Sequence, residues 1–234
     1  MKNKLQKIGL IPGMIFLYTS AFGQINELGS EKIKEDRVTE TYFGILLNAV
    51  STNLNYGKSN GALSDNKKSV LGAQLGASFQ AGITPKFSLV SELYFIMKGG
   101  KLEANNSVDL NNSTLRLYTL ELPVLARFHF GKVYVNAGPT IAYNLFGTNK
   151  IEGTSTDVSF NNSTDGFKRW DAGIQMGAGY RFKVKQKLVA LDVRYSYGLT
   201  NISSSQEMYN RYLNINLTFS KPWKTNPLGI KRKS

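Results

Sequence analysis

The chain has 234 residues, with 29 Lys and Arg against 16 Asp and Glu, a net charge of +13 and no cysteine. Without cysteine, neither a disulfide framework nor a thiolate metal site can hold it together. The basic excess would suit nucleic acid, but no compact basic helix or zinc-ligand cluster accompanies it, so no nucleic-acid partner is expected.

Lys2, Lys4 and Lys7 precede an apolar stretch from Ile8 to Phe22 that ends in Ala21-Phe22-Gly23. A short positive region, an apolar core and small residues at the cleavage spacing predict a signal peptide over 1–23 rather than a buried helix. Residues 24–41 are polar and charged and read as a flexible periplasmic lead-in. No later run of eighteen apolar residues could form a transmembrane helix, a test to which β-barrels are blind.

From there the chain reads as eight strands. They are expected near Phe43–Leu54, Val70–Ala81, Phe87–Lys98, Leu115–Phe128, Lys132–Leu145, Trp170–Lys183, Leu188–Leu199 and Tyr209–Phe219. The sixth shows the pattern best. Trp170, Ala172, Ile174, Met176, Ala178, Tyr180 and Phe182 share one face, and Asp171, Gly173, Gln175, Gly177, Gly179, Arg181 and Lys183 the other. Period two over such a length excludes a helix, which needs apolar residues every three or four positions. Short and long connectors alternate between these segments. The short ones are Gly82–Lys86, His129–Gly131 and Val184–Lys187. The long ones, rich in Asn, Ser and Gly, read as solvated loops.

A soluble barrel or β-sandwich would also carry eight alternating strands. Three features favour a membrane barrel. Each strand reaches the ~9–11 residues needed to cross a bilayer when tilted. Aromatic residues sit near strand ends, at Phe43, Phe87, Phe95, Tyr118, Phe128, Tyr143, Trp170, Phe182, Tyr197, Tyr209 and Phe219, as membrane-interface aromatics do. The opposite face is mostly small and polar, which suits a narrow lumen. The fold expected is an all-β, eight-stranded antiparallel up-and-down transmembrane barrel over 42–220, in the outer membrane, with both termini periplasmic. A basic tail over 221–234 follows it.

Several segments together resemble the Bacteroidetes outer-membrane β-barrel family often labelled PorT-like or porin-like. They are Phe87-Ser88-Leu89-Val90-Ser91-Glu92-Leu93-Tyr94-Phe95, Leu120-Glu121-Leu122-Pro123-Val124-Leu125-Ala126-Arg127, Val135-Asn136-Ala137-Gly138-Pro139, Asp171-Ala172-Gly173-Ile174-Gln175, Leu191-Asp192-Val193-Arg194-Tyr195-Ser196-Tyr197-Gly198-Leu199 and Leu213-Asn214-Ile215-Asn216-Leu217-Thr218-Phe219. The resemblance implies eight strands and an outer-membrane location. One branch of that family serves type IX secretion and gliding, and the label alone does not assign this chain to it. The chain departs from a minimal barrel in continuing past Phe219 through Lys221-Pro222-Trp223-Lys224 to Lys231-Arg232-Lys233-Ser234. Pro222, lacking a backbone donor, is expected to end strand pairing, and Trp223 to rest at the membrane interface.

On the inward face Glu92, Glu121, Arg127, Asp171, Arg181, Asp192 and Arg194 are expected to form a paired charge network rather than a catalytic set, since buried charges persist when paired. Arg127 is expected to find Asp192 or Glu92 on neighbouring strands. His129, the sole histidine, falls in a tight turn, and with no cysteine it predicts no metal site. No nucleophile motif, phosphate loop or dinucleotide fingerprint occurs, so no catalytic residue and no cofactor are expected. The inward Gly72, Gly76, Gly173, Gly177 and Gly179 relieve crowding in the lumen. Lys231, Arg232 and Lys233 are candidates for contact with an anionic head group or a protein partner. The function expected is a structural or accessory role in an outer-membrane or periplasmic complex, linked to secretion. A narrow passive channel is the alternative, and a lipid-modifying enzyme the third.

Overall fold

The structure, a computed structural model, describes residues 41–104, 111–160, 166–185 and 187–223. Residues 1–23, expected to be a signal peptide, the lead-in up to residue 40 and the tail from Lys224 lie outside the described residues.

Ten strands form one sheet. They are β1 (Tyr42–Tyr56), β2 (Lys67–Lys68), β3 (Val70–Thr84), β4 (Phe87–Leu102), β5 (Ser113–Phe130), β6 (Val133–Ile151), β7 (Thr154–Asp157), β8 (Trp170–Val184), β9 (Lys187–Gly198) and β10 (Met208–Pro222). Eight of these make the wall, each pairing antiparallel with its neighbours. The circuit runs β1-β3-β4-β5-β6-β8-β9-β10 and closes where β10 pairs β1. A closed circuit leaves no strand edge, which is the condition for crossing lipid as a sheet. The two short strands extend the ladder above the wall, β2 on β4 and β7 on β6.

Alternation decides which side chains face out. In β1, Phe43, Ile45 and Leu47 are exposed while Tyr42, Leu46, Asn48 and Val50 are buried. The outer surface carries Leu71, Leu75, Leu93, Val135, Ile141, Ile174, Leu191, Val193, Leu213 and Ile215, all large, apolar and exposed. So broad an apolar belt belongs against hydrocarbon, not water.

The ladder is interrupted near two prolines. Pro123 and Pro139 supply no N–H, and pairing between β4 and β5 skips from Ser91↔Val124 to Tyr94↔Glu121. At Gly138 a Cβ would lie 2.0 Å from the Val124 carbonyl oxygen, so only glycine lets the two backbones approach this closely.

Three expectations need correction. Pairing does not stop at residue 220: Pro222 sits opposite Tyr42 as the last paired residue of β10, and the Trp223 N–H donates to the Thr41 carbonyl at 2.8 Å. At a ladder's last rung a proline forfeits one donor at little cost, because no further rung needs it. The barrel wall therefore runs to Pro222, not residue 220. His129 is not in a turn. It lies on β5 facing inward, and the turn falls at Gly131-Lys132, where Gly131 has φ +68°. The long connectors, finally, are not simply solvated. A 3-10 helix, Lys58–Asp65, drops Leu63 into the barrel mouth, and Ile202 does the same from the connector before β10.

Candidate functional site: a filled lumen

The inward side chains build the interior in three tiers. Nearest the short turns, Arg127 of β5 donates from Nη1 to Gln80 Oε1 at 2.9 Å, and its guanidinium lies 4.2 Å from the Tyr134 ring centre. Its Nη2 stands 4.0 Å from Asp192 Oδ2. His129 Nε2 is 2.8 Å from Ser88 Oγ, which also accepts from Gln80 Nε2 at 3.2 Å. The Tyr134 hydroxyl donates to Asp192 at 2.5 Å and Asn216 Nδ2 donates to it at 2.6 Å.

Arg194 of β9 is the hub of the middle tier. Its Nη1 and Nη2 reach Glu92 at 2.6 and 3.0 Å, while Nε and Nη2 reach Asp192 at 2.7 and 3.1 Å. A planar guanidinium is suited to such paired contacts, since its donors form a rigid fork. Nη1 also donates to Gln175 Oε1 at 3.2 Å. Gln175 in turn donates from Nε2 to Tyr94, Ser196 and Tyr212 at 3.1, 2.8 and 3.3 Å, linking this tier to the next. Gly177 makes room for Arg194, because a Cβ there would stand 2.7 Å from its Cγ.

In the third tier Lys98 of β4 bridges two carboxylates, Glu121 at 3.2 Å and Asp171 at 3.1 Å. Glu121 also accepts from the Tyr94 hydroxyl at 3.2 Å and from the Tyr212 hydroxyl. Asp171 accepts from Thr200 Oγ1 at 2.8 Å and Asn210 Nδ2 at 2.7 Å. Thus Lys98, Arg127 and Arg194 stand against Glu92, Glu121, Asp171 and Asp192. The charges nearly balance, and each of these seven has a charged partner within 4.0 Å. That is what burial of an ion requires.

Arg181 does not join them. It has the inward parity of β8 but sits at the rim, where Nε and Nη2 donate to the Gly131 carbonyl at 3.3 and 3.2 Å. At that height the carboxylates lie deeper in the lumen, and a turn carbonyl is the acceptor in reach. Sequence reasoning passed over Lys98, Tyr94, Tyr134, Tyr212 and Gln175 as network members. Their signal was parity: Tyr94 and Lys98 lie two and six residues beyond Glu92 on one strand. Three tyrosine rings, Tyr94, Tyr134 and Tyr212, occupy a lumen face otherwise rich in small polar residues.

Above the ions the interior turns apolar. Leu54, Tyr56, Leu63, Leu102, Leu115, Leu117, Ile202 and Met208 form one buried cluster, with Val158, Phe160 and Phe167 packed against it. The cavity left in the mouth, about 280 Å³, is bordered by Leu54, Leu102, Leu115 and Phe167 of this cluster. Beneath the cap a void of about 10 Å³ borders Lys98, Glu121 and Asp171, space for about one water. Among the described residues no group of three or more His, Asp or Glu could hold a metal ion.

The outer wall carries the interface aromatics in two bands. Toward the long connectors Phe95, Tyr118 and Phe146 stack in series at 6.1 and 4.4 Å, and Tyr143 meets Trp170 at 4.9 Å. Tyr197 and Tyr209 flank Arg211 at the same end. Toward the short turns Phe87 packs on Phe128 at 5.0 Å, and Phe182 and Phe219 are exposed at the same end on β8 and β10. Trp223 is edge-on to Phe43 and Phe79 at 5.6 and 6.2 Å. Lys231, Arg232 and Lys233 lie outside the described residues.

Comparison with solved structures returns small outer-membrane barrels. Neisserial surface protein A is 12% identical, covering 77% of this chain and 97% of its own, at a TM-score of 0.45. OprG from Pseudomonas aeruginosa is 12% identical over 83% of this chain and 100% of its own, at 0.42. Ail, the attachment invasion locus protein of Yersinia pestis, is 10% identical over 79% and 99%, at 0.39. Among curated proteins no sequence match is found. Residues 36–204 match the family described as outer membrane protein beta-barrel domain. The closed eight-stranded wall, the apolar belt around it and this match agree, and the chain belongs to the outer membrane protein β-barrel domain family.

Proposed function

We propose that the protein is a structural or accessory barrel of an envelope complex, one that neither conducts solutes nor catalyses a reaction. The observation that carries this reading is the double filling of the lumen, an apolar cap over an ion-paired core. A passive channel needs a continuous wet path. An enzyme needs a base or nucleophile within reach of its substrate, and here the carboxylates are buried and already bonded. What a partner can touch is the capped connectors, the lipid-facing wall and the tail with Lys231, Arg232 and Lys233. A secretion complex of the kind served by one branch of the PorT-like family is one setting for such a role, although the resembling segments point to the family and not to that branch.

In a planar bilayer the purified protein is expected to give no stepwise conductance above the bare membrane. Reproducible steps would overturn this reading in favour of the channel. Purified from native membranes in mild detergent, it should carry a partner protein in fixed ratio.

The orientation proposed puts the short turns and both ends of the wall in the periplasm, as in other barrels with short periplasmic turns and long outer loops. Single cysteines at Gly61 and Ser204 should then label on intact cells with an impermeant maleimide, and cysteines at Lys86 and Lys132 should not. The reverse pattern would invert the barrel.

A further inference from the structure

The outer wall holds a feature that neither the lumen nor the cap uses. At the long-connector end of the β1–β10 seam lies a groove of about 420 Å³ whose lining includes Asn53, Asn55, Lys67, Tyr197, Arg211 and Leu213. Register explains the grouping. Asn53 stands opposite Arg211, and Ser51 opposite Leu213, which faces Tyr195 on β9. These residues share the outward parity of their strands. Lys67 reaches in from β2, its Nζ 3.0 Å from Asn55 Oδ1.

Arg211 is held flat against the wall. Its guanidinium carbon is 3.4 Å from the Tyr197 ring centre, and Nη1 donates to the carbonyls of Gly198 and Asn210 at 2.5 and 2.9 Å. These bonds all run from Nη1. Among the described residues the Nε–Nη2 edge, a fork that can take an anion oxygen pair, has no protein acceptor. Asn53 Oδ1 accepts from the Leu54 N–H at 2.8 Å, so the amide donors of Asn53 remain for a ligand. Among the described residues no carboxylate lines the groove. Along the wall toward the short turns the surface becomes apolar, through Leu213 and Ile215 to Leu47.

Two cations and a row of amides and hydroxyls therefore sit directly above a greasy slope. That order matches an amphiphile with an anionic, hydroxyl-rich head and acyl chains. We propose that this groove binds the phosphorylated glycolipid of the outer leaflet, with a phosphate on Arg211 and Lys67, sugar hydroxyls on Asn53 and Asn55, and chains along Leu213 and Ile215. Asn and Ser around the cations favour a sugar phosphate over a plain phospholipid head, which offers fewer hydroxyls to bond. The assignment rests on the orientation proposed above, since the outer leaflet must lie at the long-connector end.

The test titrates the purified full-length barrel in a zwitterionic detergent with diphosphoryl lipid A, dephosphorylated lipid A and phosphatidylglycerol, reading bound lipid by native mass spectrometry. Diphosphoryl lipid A should bind about tenfold or more tightly than either of the others, the difference expected from a charge-assisted contact. R211Q/K67Q should lose that preference, while K183Q/K187Q, at the opposite end, should keep it. Should the double variant fail to fold, as judged by gel mobility with and without heating, K67Q alone still reads the site, because Lys67 lies on a two-residue surface strand. Equal binding by wild type and the folded variant, or no dependence on phosphate, overturns the proposal. Equal binding of phosphatidylglycerol overturns the glycolipid assignment. Labelling of the Gly61 cysteine reports the orientation separately, so lipid A binding with inward-facing loops would sink the orientation and the assignment to the outer leaflet but not the phosphate groove.

Discussion

Replacing Arg194 with methionine is expected to destabilise the barrel more than any other single change in the lumen. The substitution removes five hydrogen bonds and leaves Glu92 and Asp192 facing each other in the interior. Asp192 keeps Tyr134 and Asn216 as donors. Among the described residues Glu92 keeps only a long contact from Ser78 Oγ, at 3.4 Å. Breaking a buried pair from one side costs about 3–5 kcal/mol, because the remaining charge stays desolvated and alone. Urea titration in detergent micelles, followed by the gel shift between folded and heated forms, measures the loss. The triple variant R194M/E92Q/D192N should recover most of it, since it removes the stranded charges too. Wild-type stability in R194M would mean the ions contribute nothing to holding the wall together.

Lys98→Met should also destabilise, but less. Here each stranded carboxylate keeps two neutral donors, Tyr94 and Tyr212 for Glu121, Thr200 and Asn210 for Asp171. Those bonds replace part of the lost solvation, so a loss of about 2–3 kcal/mol is expected rather than the full amount. The ranking of R194M below K98M is the informative result. Equal losses would show that the tyrosine and amide donors do not cushion the third tier. Adding Tyr212→Phe to K98M should then widen the loss by more than Tyr212→Phe costs alone, the signature of coupling within one network.

Period two made most of the eight wall strands legible, and in the last three it also gave the face most side chains take, though Val189 is buried rather than outward. Strand ends were less legible. The strand expected to stop at Leu145 runs to Ile151, because β6 holds an extra residue there. Tyr118 pairs with Phe146 and Thr119 with Asn144, so Leu145 is bulged out and the alternation changes phase. A phase change in a sequence looks like an end. The cap was illegible for a different reason. Leu63, Phe160, Phe167 and Ile202 are isolated apolar residues in polar runs, without a period of their own, and only the closed mouth of the barrel gives them a common place. The lumen charges were readable as inward by parity, but their partners were not. Glu92 meets Arg194 across the interior, β4 to β9, and no rule of spacing along one strand addresses a contact between strands that do not pair.

The seam between the first and last strands has a consequence for how the chain could be rewired. All fifteen residues of β1 pair with β10, from Tyr42↔Pro222 to Tyr56↔Met208, whereas β1 pairs with β3 only as far as Thr52. The join that has no covalent turn is therefore the longer of the two ladders that hold β1. Thr41 and Trp223 lie within a single hydrogen bond of each other, so a linker of a few residues would span them. A circular permutant that joins these two points and opens the chain at the Pro85-Lys86 turn would keep every rung of the wall, and the hairpin between β1 and β10 would become local in sequence where it is now the most distant contact in the barrel.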